Sequence, residues 1–406
     1  MSRGINGFQV ERLSQALAAR RLSQIELARM VGVSPTTISK WRSGQQSPEA
    51  DALERLASVI NVSPEWFTRQ KPESMSLGLC RSNASAHVAS RQMLEARLEW
   101  AQDIVLSLSE FVDFPVVKLP KYEFDDPEKI GDADIEQAAN ACRELWGLGR
   151  GAIPDLALAV EGAGIILIRE ETGVAQIEGV STWSSSTVLN RPFILLSADK
   201  GNAFRSRFDL AHELGHLVLH KHIPRATEPQ RHKLMEQQAH RFAGAFLLPA
   251  ESFSFEIRIP VTLDSLLLLK QRWGASVAAI IMRLHALEII DAEEKQILFK
   301  RRSARWGAKA EPGDDGRPVE KPRLLQRTIS LLVSSGVMSI EVIPRHLGLS
   351  RGDIASLTGL PSTYFEGPAE IIDLATLRSA NQPQNVDKNL PNSSSVIPFA
   401  RRSKSD

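Results

Sequence analysis

Residues 212–216 read His-Glu-Leu-Gly-His, and their types and spacing suit a metal site that hydrolyses peptide bonds. Two histidines four residues apart lie on the same face of a helix, so His212 and His216 can bind one Zn²⁺. Glu213 then lies beside the metal, where its carboxylate can accept a proton from the attacking water. Apolar residues at helical spacing in residues 204–220 indicate that this helix is buried on one side.

A second helix with an apolar face follows at residues 236–249, which read EQQAHRFAGAFLLP. Together with the His-Glu-Leu-Gly-His helix, this segment resembles the ImmA/IrrE-type metallopeptidases, over roughly residues 130–300. The resemblance implies that Glu236 is the third zinc ligand beside the two histidines, that a water position stays open, and that Glu213 is the general base. His240 stands where that family usually has Asn or Asp, so it could orient a ligand, compete as one, or do neither.

Other interpretations of the motif have different consequences. A metal-free core helix is disfavoured, because burying two histidines and a glutamate without a cation is costly. A site that binds metal for sensing or stability, without hydrolysis, stays open. His220 and His222 follow the motif, and the sequence favours surface or supporting positions for both. His232 has no partner motif and is interpreted as structural.

The amino-terminal residues 8–67 form a regular series of short predicted helices. Two serines that can begin helices and two glycines that can end them punctuate the series: Ser23, Ser34, Gly32 and Gly44. The segment closely resembles the lambda-repressor-like (XRE-type) helix-turn-helix domains. The resemblance implies a recognition helix at about residues 35–43. Trp41 replaces the leucine or tyrosine often found at its position, and we expect it to pack against the core rather than stack on a base. The residues expected to contact DNA are Gln24, Pro35, Thr36, Thr37, Ser39, Lys40 and Arg42.

The alternative for this segment is a helical bundle that binds protein rather than DNA. Residues 1–70 hold nine Lys and Arg against six Asp and Glu, and the resulting net charge of +3 favours DNA only mildly. Because one small helix-turn-helix covers a half-site, we expect a homodimer on double-stranded operator DNA. The protein's own promoter is the expected operator, an inference from the resemblance to repressors.

Composition places further bounds on the class of protein. The 406-residue chain is 43% apolar, enough for several cores, and its formal charge of +1 means that attraction to nucleic acid must be local. Two cysteines without a C-x-x-C pattern do not indicate a disulfide scaffold. The chain has no apolar run long enough to span a bilayer, and its start lacks the apolar core of a signal peptide. We therefore expect a cytoplasmic protein that does not bind membranes.

We predict an α+β, mainly helical fold. It comprises an all-α N-terminal helix-turn-helix domain, a small-sheet zincin-like metallopeptidase domain that carries the HExxH helix, and a C-terminal helical region. Three strands are predicted at residues 165–169, 177–183 and 192–197. Residues 180–183 are the best candidate for an edge that holds an extended substrate, and the alternative is that they form a paired structural strand. The predicted divisions are 1–70 (helix-turn-helix), 71–130 (irregular connector, then a long helix at about 85–114), 131–260 (metallopeptidase-like), 261–310 (helical subdomain), 311–377 (C-terminal helical region, opening with a linker) and 378–406 (disordered tail).

The predicted function is a DNA-binding transcriptional regulator with a zinc-dependent endopeptidase domain. From the resemblance alone, the substrate is a regulator protein, either another protein or the chain itself, cut in a stress or mobile-element response. The alternative is a non-enzymatic repressor whose zinc domain senses a ligand or holds a dimer. The sequence does not separate these two functions, because metal ligands and a base are needed for hydrolysis but do not guarantee it.

Overall fold

The protein is mainly helical with one small sheet, as the sequence predicts. The computed structural model describes residues 4–71, 74–76, 85–173, 178–184, 189–199, 201–223, 228–307 and 310–366, with the backbone alone for 74–76 and 85–87. The predicted disordered tail at residues 378–406 lies outside these residues. Among the described helices, none combines the length and the apolar character that a membrane span requires.

Four helices form the N-terminal domain: α1 (Val10–Arg20), α2 (Gln24–Val31), α3 (Pro35–Arg42) and α4 (Ala50–Ile60). Their local sequence explains where they begin and end. The Ser23 side chain accepts a hydrogen bond from the backbone N–H of Glu26, and Ser34 accepts one from that of Thr37. Gly32 ends α2 in the left-handed region, with φ of 76°. The predicted punctuation is therefore present in the structure.

A long helix, α5 (Ser85–Leu108), follows the N-terminal domain. It packs against α1 on one side and against the sheet on another. It ends at Leu108, six residues before the predicted end at residue 114. The Ser109 hydroxyl donates to the carbonyl of Val105 at 2.7 Å, and turns follow directly.

The remaining helices form the body of the protein and its C-terminal region. The body contains α6 (Asp132–Leu145), α7 (Leu156–Gly162), α8 (Ala203–Leu219), α9 (Pro229–Leu247), α10 (Ala250–Ser254), α11 (Leu263–Trp273), α12 (Val277–Ala286) and α13 (Ala292–Trp306). The C-terminal region contains α14 (Leu324–Ser334), α15 (Val342–Leu347) and α16 (Arg351–Thr358). The HExxH motif lies in α8, and Glu236 lies in α9.

The sheet has the strand order β1-β3-β4-β2, with β1 (Ser74–Ser76), β2 (Ile166–Glu170), β3 (Gly179–Ser184) and β4 (Pro192–Ser197). Strands β2 and β4 are parallel, whereas β3 is antiparallel to both β4 and β1. The last three strands match the predicted ones. The first lies in the segment predicted to be an irregular connector, and that part of the prediction was wrong. Three residues are too few to show a strand pattern, and β3 supplies the pairing.

The sheet separates two hydrophobic cores, because alternate side chains of a strand point to opposite faces. Side chains on one face join α1–α5 and the C-terminal helices: Ile166, Ile168, Phe193 and Leu195. Side chains on the other face join α6–α9 and α11–α13: Leu167, Ile194 and Leu196. Both faces are therefore buried, which explains the nearly continuous apolar runs of β2 and β4.

A buried network of charges connects the N-terminal domain to the sheet. Arg20 of α1 donates two hydrogen bonds to Asp353 of α16, at 2.8 and 2.5 Å. Arg97 of α5 donates to Asp353 at 2.6 Å and to Glu170 of β2 at 2.9 and 2.7 Å. The side chains of Arg97, Glu170 and Asp353 are at most 8% exposed. This chain of ion pairs holds α1, α5, α16 and β2 in one arrangement.

Replacing Asp353 with alanine is expected to lower the free energy of unfolding by about 3–5 kcal/mol, because two guanidinium groups lose their shared carboxylate. Burial raises the pKa of Asp353, but Arg20 and Arg97 outweigh burial and leave the pKa below its ordinary value. The Asp353 carboxylate therefore stabilises the folded protein above the pKa that Asp353 has in the unfolded chain. This stabilisation is lost as pH falls through the pKa of Asp353 in the folded protein. Urea denaturation at neutral and acid pH measures both effects.

The control is Asp264→Ala, which removes a carboxylate from an exposed pair with Arg305. Exposed pairs contribute about 0–1 kcal/mol. An Asp353 variant as stable as this control at neutral pH would show that the network does not stabilise the domain contact.

The predicted linker after α13 is fixed at two points by carboxylates. Glu311 accepts hydrogen bonds from the backbone N–H groups of Val277 and the next residue, at the start of α12. Glu320 does the same for Leu156 and the next residue, at the start of α7. Carboxylates at helix N-termini satisfy free N–H groups and interact favourably with the helix dipole. The linker is thus part of the packed body.

Candidate metal centre

The candidate site lies where α8 and α9 pack closely against each other. Gly215 makes this approach possible, since a Cβ there would lie 3.1 Å from the Cβ of Phe242 and 3.2 Å from the Cα of Ala239. A larger residue at this motif position would displace Phe242 and Ala239 by a few tenths of an ångström, so glycine suits the close packing. The close approach brings the two motif histidines next to Glu236.

The three predicted ligands converge on one point. The Nε2 atoms of His212 and His216 are 3.1 Å apart, and they lie 3.4 and 3.5 Å from the carboxylate oxygens of Glu236. Zinc bonds of 2.0–2.1 Å place tetrahedral ligand atoms about 3.3–3.4 Å apart. Within the described part of the chain, His212 Nδ1 and Glu236 Oε1 are buried without a hydrogen-bond partner. The donor set and its spacing fit zinc.

The electrostatics of the cluster favour a cation. Burial raises the pKa of Glu236, but the adjacent rings of His212 and His216 outweigh burial and hold that pKa far below its ordinary value. Burial lowers the pKa of His212, yet the carboxylates of Glu236, Glu213 and Asp209 together raise it above the ordinary value. The carboxylates of these three residues thus favour positive charge at His212.

Glu213, the predicted base, lies between α8 and β3. It is 8% exposed, and β3 passes so near that a Cβ at Gly179 would lie 3.1 Å from Glu213 Cγ and 3.2 Å from its Oε1. Asp209 precedes Glu213 by one helical turn, and burial with a contribution from Glu178 raises the pKa of Asp209 to about 7. The sequence interpretation missed Asp209, although its spacing from Glu213 was a usable signal.

A series of hydrogen bonds begins at Nδ1 of the predicted ligand His216. His216 Nδ1 lies 2.9 Å from His220 Nδ1, and His220 Nε2 lies 3.0 Å from Gln238 Oε1. The Gln238 amide donates to the carbonyls of Pro127 at 2.7 Å and Ile130 at 3.1 Å. His220 has no exposed surface, and burial, aided by His216, lowers the pKa of His220 well below its ordinary value. The sequence favoured surface or supporting positions for both His220 and His222. In the structure His220 is the supporting residue, and His222 is exposed.

Two further histidines lie near the cluster. His240 is exposed, and its ring centroid lies 4.5 Å from that of His212 and 5.6 Å from that of Phe208. It does not belong to the group of three ligand atoms that lie within 4.8 Å of one another. His232 Nδ1 lies 3.8 Å from Glu236 Oε1, and its ring nitrogens are buried with no partner among the described residues. The structure therefore places His232 beside a predicted ligand.

An open groove borders the metal centre. Its volume is about 1030 Å³, and Phe208, Asp209 and His240 line its metal end. From there it extends between α9 and α12, past the half-exposed Met282. The groove is large enough for several side chains of a peptide.

The predicted substrate edge is partly occupied by the chain itself. Strand β1 pairs with residues 182–184 of β3, whereas β4 pairs with residues 179–183 on the other side. For Thr182 and Trp183 the open edge was therefore wrong, and the alternative, a paired structural strand, is the one observed. On the β1 side, residues 179–181 have no strand partner in the described ranges. These residues adjoin Glu213.

The predicted DNA contacts lie on and beside α3. Thr37 is half-buried, with its hydroxyl 2.8 Å from that of Ser34, and Gln24 is half-buried at the start of α2. Trp41 is 2% exposed and packs in the core, as predicted. The remaining predicted contacts are exposed: Pro35, Thr36, Ser39, Lys40 and Arg42. Their contact with DNA stays a prediction.

Comparison with known families agrees with both halves of this description. Residues 13–67 match the helix-turn-helix family, and residues 160–285 match the IrrE N-terminal-like domain of a peptidase family. The protein combines an XRE-type helix-turn-helix domain with an IrrE/ImmA-type peptidase domain, as the sequence motifs predict.

Two curated relatives share part of the chain. The HTH-type transcriptional regulator PrtR of Pseudomonas aeruginosa is 36% identical over 107 residues, which cover 26% of this chain and 40% of that protein. An uncharacterized HTH-type transcriptional regulator of Haemophilus influenzae is 25% identical over 137 residues, 32% of this chain and 57% of that protein. The chain thus spans about half the length of these relatives.

Proposed function

We propose that the protein is a DNA-binding transcriptional regulator whose second domain is a zinc-dependent endopeptidase. The observation that carries the enzymatic half is the zinc-like spacing of His212, His216 and Glu236 beside the carboxylate of Glu213. Both curated relatives are named HTH-type transcriptional regulators, which supports the regulatory half. The proposed substrate is a regulator protein, in trans or the chain itself, cut in a stress or mobile-element response.

The residues of the site have two different roles in the proposed hydrolysis, metal binding and proton transfer. His212, His216 and Glu236 would hold zinc, which when bound acts as a Lewis acid and lowers the pKa of water. Glu213 accepts a proton from the attacking water and then donates it to the leaving amine. A substrate strand that pairs with residues 179–181 of β3 would pass directly beside Glu213.

We propose that the substrate strand continues from β3 into the groove. Besides His240 and Asp209, its lining includes Arg205, Arg241 and Met282. An extended, locally unfolded segment of a protein therefore suits the site better than a folded surface. We infer that the substrate presents a mobile segment.

The alternative function is a repressor whose zinc domain senses a ligand or holds a dimer without hydrolysis. One observation favours it: β1, which follows the helix-turn-helix domain in the chain, occupies residues 182–184 of the substrate edge. In that arrangement a bound metal influences the N-terminal domain through contacts of the sheet, without any cleavage of the chain.

One experiment separates the two functions. The zinc-loaded protein is incubated with itself and with the products of neighbouring genes, beside a Glu213→Gln variant. Metal-dependent fragments that the variant does not produce support the peptidase. Unchanged DNA regulation by the variant, with no fragments from either protein, supports the sensor.

For DNA, we propose a homodimer that places α3 of each copy in the major groove of a half-site. The two half-sites lie about 34 Å apart, or a multiple of that distance. The exposed hydroxyl and cationic side chains of α3 support this placement, with Lys40 and Arg42 at its end for the phosphates.

Replacing Lys40 and Arg42 together with alanine is expected to weaken binding to the promoter and to flatten its dependence on salt. Two lost phosphate contacts reduce the slope of log K against log salt by about 1.8, since each contact contributes about 0.9. Anisotropy titrations at several salt concentrations measure the slope, and footprinting locates the site. The control is the Lys300→Ala/Arg301→Ala variant, which makes the same charge change on exposed positions of α13. Equal protection by the α3 double variant and the wild type at moderate salt would show that α3 does not bind the DNA.

A further inference from the structure

We propose that His220 and Gln238 are positioning residues that fix the tautomer and the orientation of the zinc ligand His216. This inference rests on the proposed zinc site. Its basis is the continuous chain of hydrogen bonds from His216 through His220 and Gln238 to the carbonyls of Pro127 and Ile130.

The two backbone carbonyls determine which atom donates in every hydrogen bond of this series. A carbonyl only accepts, so the amide nitrogen of Gln238 must face Pro127 and Ile130, and the amide oxygen must face His220. That oxygen accepts from His220 Nε2–H, which leaves the Nδ1 of a neutral His220 as an acceptor.

His216 completes the sequence of donors and acceptors. Its Nδ1 can only donate to His220 Nδ1, so the proton of a neutral His216 is on Nδ1 and its Nε2 has a free lone pair. That Nε2 is the atom that faces His212 and Glu236. Two backbone carbonyls thus determine, through two side chains, that the metal-binding nitrogen is unprotonated.

Burial makes each hydrogen bond of this series hard to replace. His220 is 0% exposed and Gln238 is 4% exposed, so water does not readily replace a missing partner. The chain also joins three parts of the fold, α8, α9 and the turn before α6, which restrains the His216 ring from rotating. His212 has no such support from the described residues, because its Nδ1 is buried without a partner. We infer that His216 is the fixed ligand of the pair.

Two variants test the chain. His220→Phe keeps a ring of similar size but removes both nitrogens, and Gln238→Met keeps the length of the side chain but removes the amide. Each is expected to weaken zinc binding by about 10–100-fold, the usual effect of losing an outer partner of a ligand. Chelator competition measures the affinity, and the visible absorption of the Co²⁺-substituted protein is expected to shift. Because both residues act through His216, the double variant should lose less than the product of the two single effects.

The matched controls are His222→Phe and Gln237→Met, which make the same replacements at exposed neighbouring positions. The controls are expected to keep wild-type affinity and a wild-type cobalt spectrum. Near-ultraviolet circular dichroism and melting of the metal-free proteins show which variants fold. A folded His220 or Gln238 variant with unchanged affinity and cobalt spectrum overturns the positioning role, even if its melting temperature falls. A wild-type protein that binds no zinc overturns the proposed site itself, and this inference with it.

Discussion

Replacing Glu213 with glutamine is expected to abolish peptide hydrolysis and to leave zinc binding and folding intact. The amide has nearly the size of the carboxylate, so its packing against Gly179 is retained. It cannot accept a proton at neutral pH, and general-base catalysis contributes about 10²–10⁴-fold to rate. Initial rates of fragment formation measure the loss, and elemental analysis measures zinc in the same samples.

The control for this substitution is Glu251→Gln, which removes a carboxylate from an exposed position on α10. This variant is expected to cleave at the wild-type rate. Cleavage by the Glu213 variant at the same rate as the control would refute the role of Glu213 as base, whatever the metal content.

Replacing His216 or Glu236 with alanine is expected to remove zinc from a protein that otherwise carries about one zinc per chain. A catalytic site offers only three protein ligands, so the loss of one leaves the ion poorly held. Each substitution also leaves the remaining ligands buried without the charge that balances them. Elemental analysis of the purified variants is the measurement, and His222→Ala, at an exposed position, is the control. Full zinc content in both ligand variants would mean that the metal lies elsewhere.

Much of the local structure was predictable from sequence because its causes are local. Serine caps and glycine stops mark the helices of the N-terminal domain, and the apolar spacing marks α8 and α9. The same spacing predicted that His212, Glu213 and His216 lie on one buried helix. The family resemblance added Glu236, which the structure places 3.4–3.5 Å from both histidines.

The supporting residues of the site were not predictable in this way, because long-range packing creates their contacts. Gln238 follows His220 by 18 residues and contacts carbonyls more than 100 residues earlier in the chain. His232 was interpreted as structural because no partner motif accompanies it. Its proximity to Glu236 follows from their spacing of one turn on α9.

The contact between the DNA-binding and peptidase halves also depends on distant residues. Arg20 and Asp353 are separated by 333 positions in sequence, and neither has a local pattern that predicts the other. Strand β1 is another case, since three residues form a strand only because β3 offers an edge. The sequence predicted the elements of the two halves but not the sheet with two buried faces that joins them.

The most direct test of the account is to map the new protein termini produced by the zinc-loaded protein. Extract from the cells that make it, supplemented with the protein itself, is treated with the wild type, with Glu213→Gln, or with the wild type and a chelator. Mass spectrometry then identifies the peptides that begin at newly formed amino termini. The account predicts a small set of termini, in a regulator protein or in this chain, that only the untreated wild type produces. Identical sets of termini in all three samples would contradict the claim that this site is a peptidase.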